Sequence, residues 1–194
     1  MSQGHNGAGK TTAIGLMCGV APPTSGSATL CGRDVGTQLT AVRSRLGVCP
    51  QHDVLWPSLT CSEHVALYAA LRGGTDDDAA AVLADVGLAS KADAPSSSLS
   101  GGQRRRLSLA CAFVGSPAVV LLDEPTTGVD PSSRRQLWGF LRRRRAGTTI
   151  LITTHSLFEA EGLADRVVVM AGGRLGACCS ISQMQEWRHF GLSV

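Results

Sequence analysis

A chain of 194 residues is long enough to form one domain with a sizeable buried core. Its net charge of +3 and its 4% of aromatic residues disfavour a protein that coats nucleic acid. The seven cysteines are odd in number and include no CxxC pair, which predicts free thiols rather than a disulfide framework or a zinc site.

The first part of the chain predicts a glycine-rich loop followed by helices and short strands. Apolar spacing and turn signals predict helices at 11–20 and 39–46, and strands at 27–31 and 46–50. No apolar run approaches the ~20 residues that span a bilayer, so we expect no membrane-spanning helix in this chain.

The composition changes in the middle of the chain. Segments 61–71 and 76–86 have the apolar spacing of helices, and a serine-rich linker leads into a third helix at 103–114. These helices resemble a helical unit inserted into a larger domain.

Strands and helices alternate in the last part of the chain. Continuous apolar runs predict buried strands at 118–123 and 148–155, and a third strand with a turn begins at 166. Helices are predicted at 131–145, where Pro131 occupies the first turn, and at 157–164. This alternation predicts an α/β fold with a mostly parallel sheet.

The stretch "GHNGAGKTT" predicts a phosphate-binding loop. Gly4, Gly9, Lys10 and Thr11 satisfy the pattern G-x-x-x-x-G-K-[ST], and Gly7 adds a further glycine. Glycines allow successive N–H groups to face an anion, and the following helix N-terminus favours negative charge. The alternative is a glycine-rich turn with a chance lysine.

Two acidic residues end the buried strand "VVLLD". Asp123 and Glu124 stand at its carboxyl end, where open α/β sheets bind ligands. An Asp there can support Mg²⁺, and a Glu beside it can accept a proton from an attacking water. The alternative is a pair of solvated carboxylates that close a strand.

Four further motifs occur in the chain, two between the phosphate loop and the acidic pair and two after the acidic pair. They are Gln51 in "VCPQH", "LSGGQ" at 99–103, "GVDP" at 128–131 and His155 in "TTHS". Taken singly, Gln51 is a loop amide, Asp130 a helix N-cap, and His155 a partly buried strand end. Together and in this order, the six elements resemble the ATP-binding cassette ATPases over residues 4–176.

Longer stretches narrow the resemblance to the A subfamily of ATP-binding cassette transporters, many of which move lipids. The segments "CPQH" and "GVDPSSRR" carry most of this narrower likeness. The helix "SGGQRRRLSLA" keeps the family spacing but is richer in arginine. The resemblance implies a P-loop NTPase fold with a RecA-like core at about 1–52 and 116–176, a helical subdomain at about 53–115, and a divergent tail at 177–194.

The resemblance also implies a role for each motif residue, with ATP and Mg²⁺ as ligands. The ATP-binding residues would be Gly4, Asn6, Gly7, Gly9, Lys10, Thr11 and Thr12. The catalytic residues would be Glu124, the general base, together with His155 and Gln51, and Mg²⁺ would be held by Thr11, Gln51 and Asp123. The signature residues that contact a partner's ATP would be Leu99, Ser100, Gly101, Gly102 and Gln103, with Asp130 in the D-loop.

The partners implied are a second nucleotide-binding domain, in a head-to-tail ATP sandwich, and transmembrane domains, with no nucleic acid. The chain would then work at the cytosolic face of a membrane. Two alternatives remain open: a soluble cassette ATPase of DNA maintenance or translation, and a catalytically impaired fragment.

Related domains carry an apolar strand directly before the phosphate loop, and an earlier antiparallel β layer. Only Met1, Ser2 and Gln3 precede the loop here, so we expect both features to be missing. We therefore expect a chain truncated at its N-terminus that is marginally stable and a poor ATPase by itself.

Overall fold

The computed structural model describes residues 2–3 and 7–189. The predicted site residues Gly4 and Asn6 lie outside these ranges. The strands are β1 (Ser2–Gln3), β2 (Thr29–Leu30), β3 (Arg33–Asp34), β4 (Leu46–Cys49), β5 (Val119–Asp123), β6 (Thr149–Thr154), β7 (Arg166–Ala171) and β8 (Arg174–Ser180). The helices are α1 (Lys10–Met17), α2 (Leu39–Arg43), α3 (Cys61–Arg72), α4 (Asp76–Asp85), α5 (Gly101–Phe113), α6 (Pro131–Arg144), α7 (Leu157–Leu163) and α8 (Ile181–His189).

Six strands form one sheet in the order β4-β5-β6-β1-β7-β8. The neighbours from β4 to β7 are parallel, and the edge strand β8 runs antiparallel to β7. Residues Val120 to Asp123 of β5 are buried, as the continuous apolar run predicts. The prediction of an α/β fold with a mostly parallel sheet is confirmed.

The position of the strand before the phosphate loop is partly filled, contrary to expectation. Ser2 pairs in parallel with Thr153 of β6 and with Val168 of β7, so β1 lies between these two strands. The pairing covers the last two residues of β6 and the middle of β7. A separate antiparallel pair, β2 and β3, lies outside the main sheet.

Helices α3, α4 and α5 occupy the predicted helical unit. Helices α3 and α4 both begin with a capping box, in which Thr60 pairs with Glu63 and Thr75 pairs with Asp78. Each box satisfies two backbone N–H groups that a helix start would otherwise leave without partners. The predicted boundaries of these two helices agree with the structure to within one residue.

Apolar clusters cover both faces of the sheet. Val120 and Leu122 of β5 belong to the larger cluster, which contains the buried faces of α3 to α6. Leu121 points to the opposite face, where it joins Ile14 of α1 and Val42 of α2. Within residues 2–3 and 7–189, no helix combines the length and apolar character required to cross a bilayer.

Candidate active site

The glycine-rich loop turns directly into α1. Gly7 and Gly9 have φ angles of 83° and 96°, a region that glycine enters without steric strain. Gly9 is the N-cap of α1 and has no side chain to occupy that end, so backbone N–H groups of the first turn can face an anion. Lys10 is buried, whereas Thr11 and Thr12 are exposed at the start of the helix.

The turn between β7 and β8 supports this loop. The N–H of Gly173 donates to the carbonyl oxygen of Ala8 at 3.1 Å. A Cβ atom on Gly9 would lie 3.2 Å from the Cα atom of Gly173, which is tighter than ordinary packing. This contact could not be predicted from local sequence patterns, because Ala8 and Gly173 are far apart along the chain.

The two predicted carboxylates are buried where β5 ends. Asp123 is 2% exposed and Glu124 is 8% exposed. The hydroxyl of Thr153 donates to Oδ1 of Asp123, and the N–H of Glu124 donates to the same hydroxyl at 3.0 Å. Thr153 of the adjacent strand therefore fixes both residues, although the sequence did not single it out.

Glu124 lies between the phosphate loop and His155, another predicted catalytic residue. Its Oε1 is 3.8 Å from Nζ of Lys10. Its Oε2 is 2.9 Å from Nδ1 of His155 and accepts from the hydroxyl of Thr127 at 2.8 Å. The structure thus brings together Lys10, Glu124 and His155, three residues predicted from separate motifs.

A buried carboxylate on α7 braces the segments on either side of this cluster. Glu159, which is 3% exposed, accepts from the hydroxyl of Thr126 and from that of Thr154 at 2.7 Å. Thr126 follows the Glu124 turn and Thr154 precedes His155. Sequence reasoning missed Glu159, although a glutamate four residues after the histidine is a feature that could have drawn attention to it.

Gln51 lies at the same edge of the sheet as the acidic pair. It follows β4, whose last residue, Cys49, is in register with Leu122 of β5. Neighbouring parallel strands have their carboxyl ends at the same edge of the sheet. The exposed Gln51 loop and Asp123 therefore both lie at that edge. Together Asp123, Gln51 and Thr11 offer carboxylate, amide and hydroxyl oxygens, a donor set that fits Mg²⁺.

The signature residues form the start of α5. The hydroxyl of Ser100 accepts from the N–H of Gln103, and the side chain of Gln103 accepts from the N–H of Ser100 at 2.8 Å. Leu99 is buried, whereas Ser100 and Gly101 are exposed. The side chains of Ser100 and Gln103 thus cap the N-terminus of α5, which faces solvent.

Gly102 brings the signature close to the predicted D-loop. A Cβ atom at Gly102 would lie 2.6 Å from Oγ of Ser133 and 3.4 Å from Oδ2 of Asp130. Asp130 caps α6 by accepting from the N–H groups of Ser132 and Ser133. Hydrogen bonds from Ser133 lower the pKa of the Asp130 carboxyl, which keeps this cap ionised to more acidic pH than an ordinary aspartate.

Comparisons with known proteins agree with this arrangement. Residues 3–127 match the model of a family described as ABC transporter. The human phospholipid-transporting ATPase ABCA7 is 50% identical over 194 residues, and the match covers 97% of this chain and 9% of that protein. The human retinal-specific phospholipid-transporting ATPase ABCA4 is 50% identical over 176 residues, which cover 89% of this chain and 8% of that protein.

More distant proteins show the same likeness. ABC transporter A family member 6 of Dictyostelium discoideum is 46% identical over 176 residues, covering 89% of this chain and 11% of that protein. A solved ATP-binding subunit of an ABC transporter superposes with a TM-score of 0.86 at 28% identity, covering 98% of this chain and 81% of that subunit. The chain thus spans only about a tenth of the length of these curated relatives. Because the family model matches residues 3–127, which are more than half of the chain, the chain belongs to the ABC transporter family.

Proposed function

We propose that this chain binds and hydrolyses ATP as the energy-coupling domain of a membrane exporter. The observation that carries the proposal is the position of the Glu124 carboxylate, which lies between Lys10 on the phosphate loop and His155 after β6. A carboxylate beside a phosphate-binding lysine can take a proton from a water that attacks the terminal phosphate.

The remaining residues of the site would position the triphosphate. The first turn of α1 and Lys10 would hold the phosphate oxygens, and His155 would donate to the terminal phosphate while it contacts Glu124. Mg²⁺, when bound with ATP, neutralises part of the phosphate charge. Asp123, Thr11 and Gln51 would hold that ion with hard oxygen donors.

A second copy of such a domain would complete the site. The solvent-facing start of α5, residues 99–103, is the anion-binding helix end that would approach ATP held by the partner. Asp130, beside Gly102, would link the two sites. We divide the chain accordingly into a core at 1–52 and 116–176, a helical unit at 53–115, and a tail from 177.

The transported substrate is proposed from the relatives. Two of them, from human, are named phospholipid-transporting ATPases. We therefore propose that this chain drives the movement of phospholipids or similar amphiphiles, together with transmembrane domains and at the cytosolic face of a membrane. No observation on this chain favours a DNA-maintenance or translation ATPase over this function.

The variant Glu124→Gln tests the proposal. We expect it to bind ATP as the wild type does and to hydrolyse it more slowly by ~10²–10⁴-fold, because the amide cannot accept the proton from water. Binding is measured with a fluorescent ATP analogue, and hydrolysis by phosphate release.

Glu186→Gln is the matched control, since Glu186 is an exposed residue of α8. It should leave both quantities unchanged. An unchanged hydrolysis rate in Glu124→Gln would remove this residue from the role of general base, and a wild-type chain with no affinity for ATP would reject the function itself.

A further inference from the structure

Arg105 of α5 is a buried cation that contacts the turn at the end of β5. The residue is 4% exposed. Its Nε donates to the carbonyl oxygen of Pro125 at 2.8 Å. Its Nη2 donates to the carbonyl oxygens of Asp123 at 3.0 Å and of Glu124 at 3.2 Å. One side chain therefore binds three consecutive carbonyl groups of the turn that carries the acidic pair.

This turn has a backbone conformation that needs such support. Glu124 has a φ angle of 45°, in the left-handed region that residues other than glycine seldom enter. Such a residue persists when the surrounding structure holds it in place. The carbonyl groups of the turn are also buried, so they need hydrogen-bond donors. Arg105 supplies both the restraint and the donors.

The same guanidinium reaches the loop of Gln51. Its Nη1 donates to the carbonyl oxygen of Pro50 at 2.7 Å and contacts Oδ1 of Asp53 at 3.3 Å. The hydroxyl of Ser108, one turn further along α5, donates to the same Asp53 oxygen at 3.0 Å. The residues on both sides of Gln51 are thus attached to α5.

We propose that Arg105 is a positioning residue for ATP hydrolysis. It fixes the backbone of 123–125 so that the Glu124 carboxylate stays between Lys10 and His155, and it keeps the Gln51 loop in register with that carboxylate. Because α5 begins with the signature residues, a displacement of this helix would reach both loops through one side chain. The positioning role rests on the proposed function, which is ATP hydrolysis. The hydrogen bonds of Arg105 do not depend on that function.

Two substitutions separate geometry from charge. Arg105→Lys keeps the positive charge but offers one compact ammonium group in place of a planar fork of donors, so it cannot serve all these carbonyls together. Arg105→Gln removes the charge as well. The matched control is Arg106→Gln, because Arg106 also lies on α5 but donates to the carbonyl oxygens of Val86 and Gly87, away from the acidic pair.

Three quantities are measured on the 194-residue chain: the rate of ATP hydrolysis, the dissociation constant for ATP, and hydrogen–deuterium exchange of backbone amides. We expect both Arg105 variants to lower the hydrolysis rate by roughly 10–10²-fold, because a small displacement of a catalytic group has an effect of that order. The dissociation constant for ATP should change by less than about threefold. Faster exchange should be confined to the segments at 50–53 and 123–127. The control should leave all three quantities near their wild-type values.

Several results would overturn the proposal. A wild-type hydrolysis rate in Arg105→Lys would show that charge alone suffices. Faster exchange over the whole chain would assign Arg105 to general stability, and unchanged exchange at both segments would remove the proposed restraint. If the wild type neither binds nor hydrolyses ATP, the proposed function fails, and the exchange pattern alone then decides whether Arg105 holds the two loops.

Discussion

At the scale of single residues, two buried thiols are expected to make the free energy of unfolding decrease at alkaline pH. Burial raises the pKa of Cys49 to about 11 and that of Cys111 to about 12. In the unfolded chain such thiols ionise near pH ~8.5, so between these values the unfolded state releases protons that the folded state keeps. We expect the free energy of unfolding to fall as pH rises from about 8.5 to about 11.

Urea unfolding under reducing conditions at several pH values measures this dependence. The double variant Cys49→Ala/Cys111→Ala should lose less stability over the same pH interval than the wild type. Cys178→Ala is the control, because Cys178 is exposed. An equal pH dependence in the wild type and the double variant would contradict the prediction.

The sequence predicted the residues that would contact ATP or water better than the residues that position them. Lys10, Glu124 and His155 belong to short motifs in which the functional residue is part of a local pattern. In the sequence, Arg105 stands out only as one of several arginines in a segment that is richer in arginine than the family pattern. Its role was not predicted, because most of its partners are backbone carbonyl groups distant along the chain. Backbone groups are the same in every residue, so a sequence contains no mark of which carbonyls a buried arginine will bind.

At the scale of helices, Gly102 sets how closely α5 approaches the start of α6. Alanine normally stabilises a helix by ~1 kcal/mol relative to glycine. A methyl group at Gly102 would lie 2.6 Å from Oγ and 3.1 Å from Cβ of Ser133, so the hydroxyl would have to rotate away and the two helix starts would have to separate by a few tenths of an ångström. We expect Gly102→Ala to lower the free energy of unfolding by about 1–3 kcal/mol, the usual effect of overpacking.

Thermal and urea unfolding measure the change. Gly101→Ala is the matched control, because the nearest atom to its new methyl group would be Nη2 of Arg104, at 4.0 Å. It should be neutral or stabilising. Ser133→Gly in the Gly102→Ala background removes both close atoms and should recover the loss that the clash produces. A Gly102→Ala chain as stable as Gly101→Ala would show that the helices adjust freely.

Helices and strands with strong apolar periodicity were predicted well, and short elements were not. Strand β3 was missed because the β2–β3 hairpin turns at Cys31 and Gly32, with φ angles of 52° and 72°. Cysteine is not among the residues that usually mark such a turn. Helix α8 was also missed, although Ile181 and Met184 have helical spacing, because the tail fitted the family poorly. The predicted helix at 11–20 ends at Met17, shortly before Gly19 in the left-handed region.

At the scale of the whole molecule, the centre of the sheet has an incompletely paired region. Among the described residues, β1 pairs with β6 only at Thr153 and Thr154, so residues 149–152 have no strand partner on that side. A cavity of about 410 Å³ lies there, lined by apolar residues that include Ile150, Ile152 and Leu163, and by the charged residues Arg142, Arg145, Asp165 and Arg166. An extended apolar segment would find both backbone partners and apolar surface in this region.

A variant with five valine- and isoleucine-rich residues added before Met1 tests this. We expect it to unfold with a free energy several kcal/mol larger, because each buried side chain contributes ~1.5–3 kcal/mol. An extension of equal length made of glycine and serine is the control. Circular dichroism melts compare the three chains, and identical cooperative melting of the apolar extension and the starting chain would reject the prediction.

The contacts of the phosphate loop have a consequence for synthesis of the chain. β1 pairs with β6 and β7, and Ala8 is held by Gly173, so the neighbours of this loop are encoded almost at the other end of the chain. A ribosome releases the loop well before it releases these partners. Contacts between such distant segments form slowly and leave strands exposed in the meantime. The ligand-binding loop therefore stays unassembled on the ribosome until β6, β7 and the turn that follows β7 have emerged.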